Sequence, residues 1–234
     1  MAKLVGLSRA IKLEWLNKTV ELIKEGKTDA EIKNDLNEYL SFEITSPTNL
    51  RKTREILLAI WVRNPDDYKN IKSLALEIYD NENINRLVIH WCMILITYPV
   101  FSDVCALIGK LADIQDTFTT AWLKQKLVDL WGERTTLLCC SDKILQTMRY
   151  LGAIENQKVG IHKIISCDVS DETTKKLITL TIIALNSKSY YEISEISQVP
   201  QMFPFNYSIS CELLHNSELF TLNNFGGKVV VTRE

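Results

Sequence analysis

Residues Trp131–Ser166 read WGERTTLLCCSDKILQTMRYLGAIENQKVGIHKIIS. Apolar residues recur at helical spacing through Leu137, Ile144, Leu145 and Met148. Gly152 then ends the run, because glycine accepts the left-handed conformation that closes a helix. After it, Ala153-Ile154 and Val159–Ile165 read as two short strands around a polar turn, Glu155–Lys158. A long helix followed at once by a hairpin is the pivot of the chain, and its neighbours decide what kind of unit it belongs to.

Upstream of the pivot, Thr119 is placed to cap a helix over Ala121–Trp131, which Gly132 breaks. One helix further back, Ser102–Gln115 carries the same period, so the order is helix, helix, helix, hairpin. Still nearer the N-terminus, Leu13, Leu16, Val20 and Ile23 form an amphipathic stripe stopped by Gly26. Thr28 and Glu31 make a capping box for a second helix reaching Leu40. Ser46-Pro47 and Asn64-Pro65 open a third and a fourth, with proline where its missing N–H costs nothing. The segment Ile84–Tyr98 is the next, ended by Pro99.

A similar cadence recurs after the pivot. Ser170–Thr174 begins a helix that buries Leu177, Leu180 and Ile183, and Tyr190–Gln198 and Tyr207–Asn216 read as two shorter ones. Glu218–Leu222 and Lys228–Thr232 then flank Asn223–Gly227, where paired glycines suit a tight turn. The expected fold class is mainly α. A helical bundle over residues 1–115 precedes a three-helix-plus-hairpin unit over 116–167. The remainder, 168–234, is a helical segment with a C-terminal hairpin, interrupted by Pro200 and Pro204, so that the chain holds either one such unit or a second, degenerate copy as well.

Composition agrees with an ordered globule: 234 residues, 46% hydrophobic and 24% charged, with eight Gly and five Pro. The charge-free run Leu87–Ser102 falls short of the roughly 20 residues a membrane helix needs, and it reads as a buried helix. Arg9, Lys12 and Glu14 interrupt the apolar start of the chain, so no secretory signal is expected and the cytoplasm is the expected location. Six cysteines without CxxC spacing read as reduced thiols, with the Cys139-Cys140 pair in the core.

The order helix, helix, helix, hairpin resembles the winged-helix superfamily of helix-turn-helix proteins, in which the third helix enters the major groove and the wing touches the backbone or the minor groove. The resemblance implies that Lys143, Gln146, Thr147, Arg149 and Tyr150 face nucleic acid from the third helix, together with Thr135 and Thr136. On the wing it implies Lys158, His162 and Lys163, with Asn156 and Gln157. Between Thr117 and Lys163, seven Lys/Arg stand against four Asp/Glu, leaving +3 in a chain whose net charge is −2. A positive face of that kind is what phosphate contacts require, although it equally suits a solvated surface. A second basic cluster, Arg51, Lys52 and Arg54, sits in the first turns of a helix, where cations oppose the dipole unless an anion joins them or Glu55 or Glu43 neutralises them.

A helical bundle ahead of a wing-bearing half, with a threonine-led helix ending in an apolar run after glycine (Thr135-Thr-Leu … Met148-Arg-Tyr-Leu-Gly-Ala-Ile154), also looks like the small BrxA proteins encoded in BREX phage-defence clusters. That resemblance implies a non-enzymatic, DNA-binding accessory protein.

Catalytic patterns do not emerge. The three histidines, His90, His162 and His215, lack the spacing of a zinc motif, and no phosphate-binding glycine loop occurs. Pro65-Asp66-Asp67 complements a helix dipole. The expectation is a regulatory or accessory protein without catalytic residues, metal or cofactor. Its partner would be nucleic acid, DNA ahead of RNA, and oligomerisation is left open. The alternative is an interaction subunit that uses its winged-helix units to dock other proteins.

Overall fold

The computed structural model describes residues 6–232 apart from 83, 187 and 216. The expectations for the first five residues and for the end of the Tyr207–Asn216 helix therefore lie partly outside the described residues.

The N-terminal helices follow their caps. α1 (Leu13–Lys24) ends before Gly26, whose φ is +75°. α2 (Asp29–Ser41) opens on the Thr28/Glu31 capping box, both halves of which form. α3 (Pro47–Trp61) has Ser46 as its cap. A 3-10 turn at Asp66–Tyr68 leads into α4 (Lys69–Ile78). Pro99 acts differently from expectation. It ends α5 (Arg86–Thr97) and is also the first residue of α6 (Pro99–Ala112), so the two meet at a 118° bend. Among the described residues no single helix is long and apolar enough to cross a membrane.

Next come β1 (Thr117–Thr119), α7 (Thr120–Trp131), α8 (Thr135–Tyr150), β2 (Ile154–Lys158) and β3 (Ile161–Ile164). Gly132 and Gly152 take φ of +77°, so the expected stops hold. β1 has no counterpart in the expectation. It pairs antiparallel with β3, Phe118 opposite His162, giving a three-stranded sheet in the order β1-β3-β2. The polar residues Glu155–Lys158 are an edge strand, and the turn lies at Val159-Gly160. An edge strand bathed in water on both sides has the composition of a loop.

The C-terminal part comprises β4 (Cys167–Asp168), α9 (Glu172–Leu185), β5 (Tyr191–Glu192), α10 (Ile193–Ile196), β6 (Phe205–Asn206), α11 (Cys211–His215), β7 (Thr221–Phe225) and β8 (Lys228–Thr232). β5, β8 and β7 form an antiparallel sheet in that order, and β4 pairs parallel with β6. Helix, strand, helix, helix, hairpin thus occurs twice, with the same strand order in each sheet. In the second copy the middle helices are short, four and five residues, and a segment containing Pro200 and Pro204 lies between them.

One continuous core holds these parts together. α5 is buried along most of its length and packs on α9. The Trp91 indole donates to the Gln201 carbonyl at 3.1 Å and meets Phe101, Phe203 and Phe205 edge to face. Beside it α6 passes the Pro200–Met202 turn so closely that a Cβ on Gly109 would lie 2.0 Å from the Pro200 carbonyl oxygen. In the bundle, Trp61 Nε1–H donates to His90 Nδ1 (3.2 Å), which leaves His90 Nε2–H to donate to Asn17 Oδ1 (2.8 Å). Tyr79 donates to the same Asn17 oxygen (2.8 Å), so three helices and the C-cap of α4 share one polar network.

Two measurements test this packing. Gly109→Ala should lower stability by about 1–3 kcal/mol, because backbone cannot retreat as a flexible side chain can. A melting temperature equal to that of the parent would contradict the close approach. Burial, with a lesser effect of Arg86, lowers the His90 pKa to about 3. A base held below its unfolded value binds fewer protons when folded, so stability is full above about pH 6.5 and declines as pH falls toward 3. Between pH 6.5 and 4.5 the slope should approach about 1.4 kcal/mol per pH unit. His90→Gln should flatten that limb in denaturant titrations, and an unchanged limb would contradict a buried neutral imidazole.

Candidate nucleic-acid interface

α8 has two faces. Leu137, Cys140, Ile144, Leu145 and Met148 form the buried one. Across it runs the N-terminal segment: the Cys140 thiol donates to the Leu7 carbonyl (3.0 Å), and the Ile11 amide donates to Thr147 Oγ1 (3.1 Å). The other face presents Thr135, Cys139, Asp142, Lys143, Gln146, Arg149 and Tyr150, exposed or half-buried. Those positions recur every three or four residues and make one stripe. Asp142 is its one acid, and Lys124 of α7 pairs with it at 2.8 Å. Among the described residues, neither Lys143 nor Arg149 has a carboxylate within ion-pair distance. Gln146 Nε2 donates to the Tyr150 hydroxyl (2.8 Å) and steadies the exposed ring.

Beside this face the edge strand β2 exposes Asn156, Gln157 and Lys158, and Val159 stands fully in solvent at the tip. Lys163 points outward from β3, half-buried, opposite Thr117 and Glu155.

Three of the expected contacts lie inside the protein. Thr147 is fully buried, since its hydroxyl accepts from Ile11 and donates to the Lys143 carbonyl (2.9 Å). His162 is 3% exposed. Strand alternation turns it inward with Ile164, against Phe118 and within 2.9 Å of Thr120 Oγ1. Burial, helped by the charge of Arg149, moves its pKa down, so it is a neutral packing residue rather than a phosphate contact. Arg54 is 7% exposed, with Nη1 on Asn37 Oδ1 (2.7 Å) and Nη2 on Glu55 Oε1 (2.5 Å). Arg63 holds the other Glu55 oxygen at 2.7 Å. Burial alone would raise the Glu55 pKa, and the hydrogen bonds from the two arginines reverse that to a net lowering. Cys139 is also exposed, contrary to the buried pair expected, whereas Cys140 is in the core.

Arg51 and Lys52 do stand in solvent, and no acid pairs with either among the described residues. The first turn of α3 carries no carboxylate. Arg9, which periodicity gave no reason to single out, donates through Nε and Nη2 to Asn49 Oδ1 (3.1 and 2.8 Å) at that same helix end. Two residues further on, Ile11 is tied to α8. Segment 9–11 therefore bridges the two basic sites, and Arg9 adds a cation whose partners among the described residues are the neutral oxygens of Asn49 and the Ser8 carbonyl. Lys12 is different: Glu43 binds it and raises its pKa.

Among the described residues no group of three or more His, Cys, Asp or Glu is placed to hold a metal ion. The arrangement offers cations, amides and a tyrosine on one surface, chemistry suited to binding an anionic polymer. No model of a known protein family, no curated protein and no solved structure matches this chain significantly.

Thr147→Val should leave the Ile11 amide buried without a partner and lower stability by about 1–3 kcal/mol without altering charge. Chemical denaturation measures it. An unchanged midpoint would contradict the clamp between the N-terminal segment and α8.

Proposed function

We propose that this protein is a non-enzymatic accessory factor that binds duplex DNA through the open face of α8, with the β2–β3 hairpin on the flanking backbone. The observation that carries this reading is the uncompensated charge of Lys143 and Arg149 on a stripe whose only acid is already held by Lys124. The order α6, β1, α7, α8, β2, β3 supports treating the unit as a winged helix, with α8 in the position of the groove-reading helix. Gln146 is then placed for a base edge, for which amide side chains suit adenine, while Lys158 and Lys163 meet phosphates. Arg51, Lys52 and Arg9 extend the positive surface onto the bundle. The role agrees with what the resemblance to BrxA proteins implies, a DNA-binding partner in a phage-defence system acting in the cytoplasm.

Charge reversal provides the test. Lys143→Glu combined with Arg149→Glu should weaken duplex binding severalfold or more at low salt and make the slope of log K against log [salt] shallower by about 2. Fluorescence anisotropy at several salt concentrations reads both quantities. Equal affinity and equal slope for parent and variant would overturn the groove assignment. Arg54→Ala should instead cost stability and leave the salt slope unchanged.

A further inference from the structure

The repeated unit has opposite charge in its two copies. From the first strand of each copy onward, residues 117–163 carry a net charge of +3, whereas in 191–232 one Lys stands against four Glu, leaving −3. An acidic surface repels a phosphate backbone, so the second copy calls for a different partner.

Two features of that copy define the surface. β7 is the edge of its sheet and pairs with β8 alone among the described strands. The first copy guards its edge strand with Glu155 and Lys158, while β7 and its flanks carry no charge and no proline from Leu219 to Gly227. Natural edges that need no partner are blunted by charge or proline. Alongside β7, a groove of about 530 Å³ opens between it and α11, lined by Cys211, Glu212, His215, Leu222, Asn224 and Val229. In the first copy the corresponding helix is 16 residues long, whereas here it is five.

Glu212 lines the groove, and Glu218 lies three residues before β7. Glu192 of β5 is paired with Lys228, and Glu195 of α10 with Lys188, each at 2.8 Å. Glu212 and Glu218 are exposed and carry no such partner among the described residues. We propose that the second copy is a protein-docking module: it takes an extended, basic segment of another protein as an added strand on β7, alternate apolar side chains entering the groove and Lys or Arg meeting Glu212 and Glu218. Main-chain pairing supplies the register in strand addition, and the pockets for alternate side chains supply the choice of partner. The chain then joins a protein to DNA through two copies of one architecture.

Three labelled heptapeptides test this on the full chain: Lys-Val-Lys-Val-Lys-Val-Lys, the block sequence Lys-Lys-Lys-Lys-Val-Val-Val of the same composition, and the acidic analogue with Glu for Lys. Anisotropy should show the alternating basic peptide binding about ten-fold more tightly than the block peptide, with no binding of the acidic one. Glu212→Lys with Glu218→Lys, both at exposed positions, should reduce that affinity about ten-fold, whereas Lys143→Glu should not reduce it. Amide shifts in a nitrogen-15 spectrum should centre on Cys211–His215 and Thr221–Phe225. Equal affinity for the alternating and block peptides, shifts centred elsewhere, or no saturable binding would each overturn the proposal.

Discussion

Two hydrogen bonds, from Cys140 to the Leu7 carbonyl and from the Ile11 amide to Thr147, fasten the N-terminal segment across the apolar side of α8. Their consequence is geometric. A helix whose one side is closed by α7, the sheet and this segment has a single side left for solvent, and the sequence places its basic residues there. The same clamp carries Arg9 to the start of α3, so the bundle and the three-helix unit present their cations through one connected stretch of backbone. Charge alone does not make this surface, since the chain is acidic as a whole. Unequal pairing makes it: Lys124 takes Asp142, and Arg54 with Arg63 takes Glu55, while Lys143, Arg149, Arg51 and Lys52 have no carboxylate partner among the described residues.

The second copy of the unit is held by a different contact. Trp91 and Gly109 receive the Pro200–Phe205 segment, and α9 lies along α5, so the C-terminal part shares the core of the bundle. Sharing a core relieves the second copy of part of the burden of building its own, and its middle helices are correspondingly short. A five-residue third helix is too short to fill a DNA groove as a 16-residue one can.

Much of the fold is legible in the letters because its punctuation is local. The Thr28/Glu31 box, Ser46-Pro47, Thr119, Asp171 and the glycines at 132 and 152 act within four residues of themselves, and each marks a boundary where expected. The Gly226-Gly227 turn, with φ of +60° and +79°, belongs to the same class. The elements that escaped are defined by distant partners. β1 is three residues whose strand character comes from pairing with β3, and the edge strand β2 has the composition of a turn. The site shows the same division. Lys143, Gln146, Arg149 and Tyr150 share a face because helical spacing puts them there. Thr147, His162 and Arg54 left that surface because Ile11, Thr120 and Asn37 draw them inward from 136, 42 and 17 residues away. For Thr147 no short-range pattern reports such a partner, whereas His162 alternates inward with Ile164 and Arg54 also meets the adjacent Glu55.

The central claim is that duplex DNA covers the open face of α8 and leaves the second copy free. Two native thiols report on both surfaces, since Cys139 is exposed on that face and Cys211 is exposed beside β7, while Cys92, Cys105 and Cys140 are buried. The direct measurement is the alkylation rate of each cysteine, read by peptide mass spectrometry, with and without a saturating 20-base-pair duplex. The account predicts that duplex slows modification of Cys139 and leaves Cys211 unchanged. An unaltered rate at Cys139, or protection confined to Cys211, would contradict it.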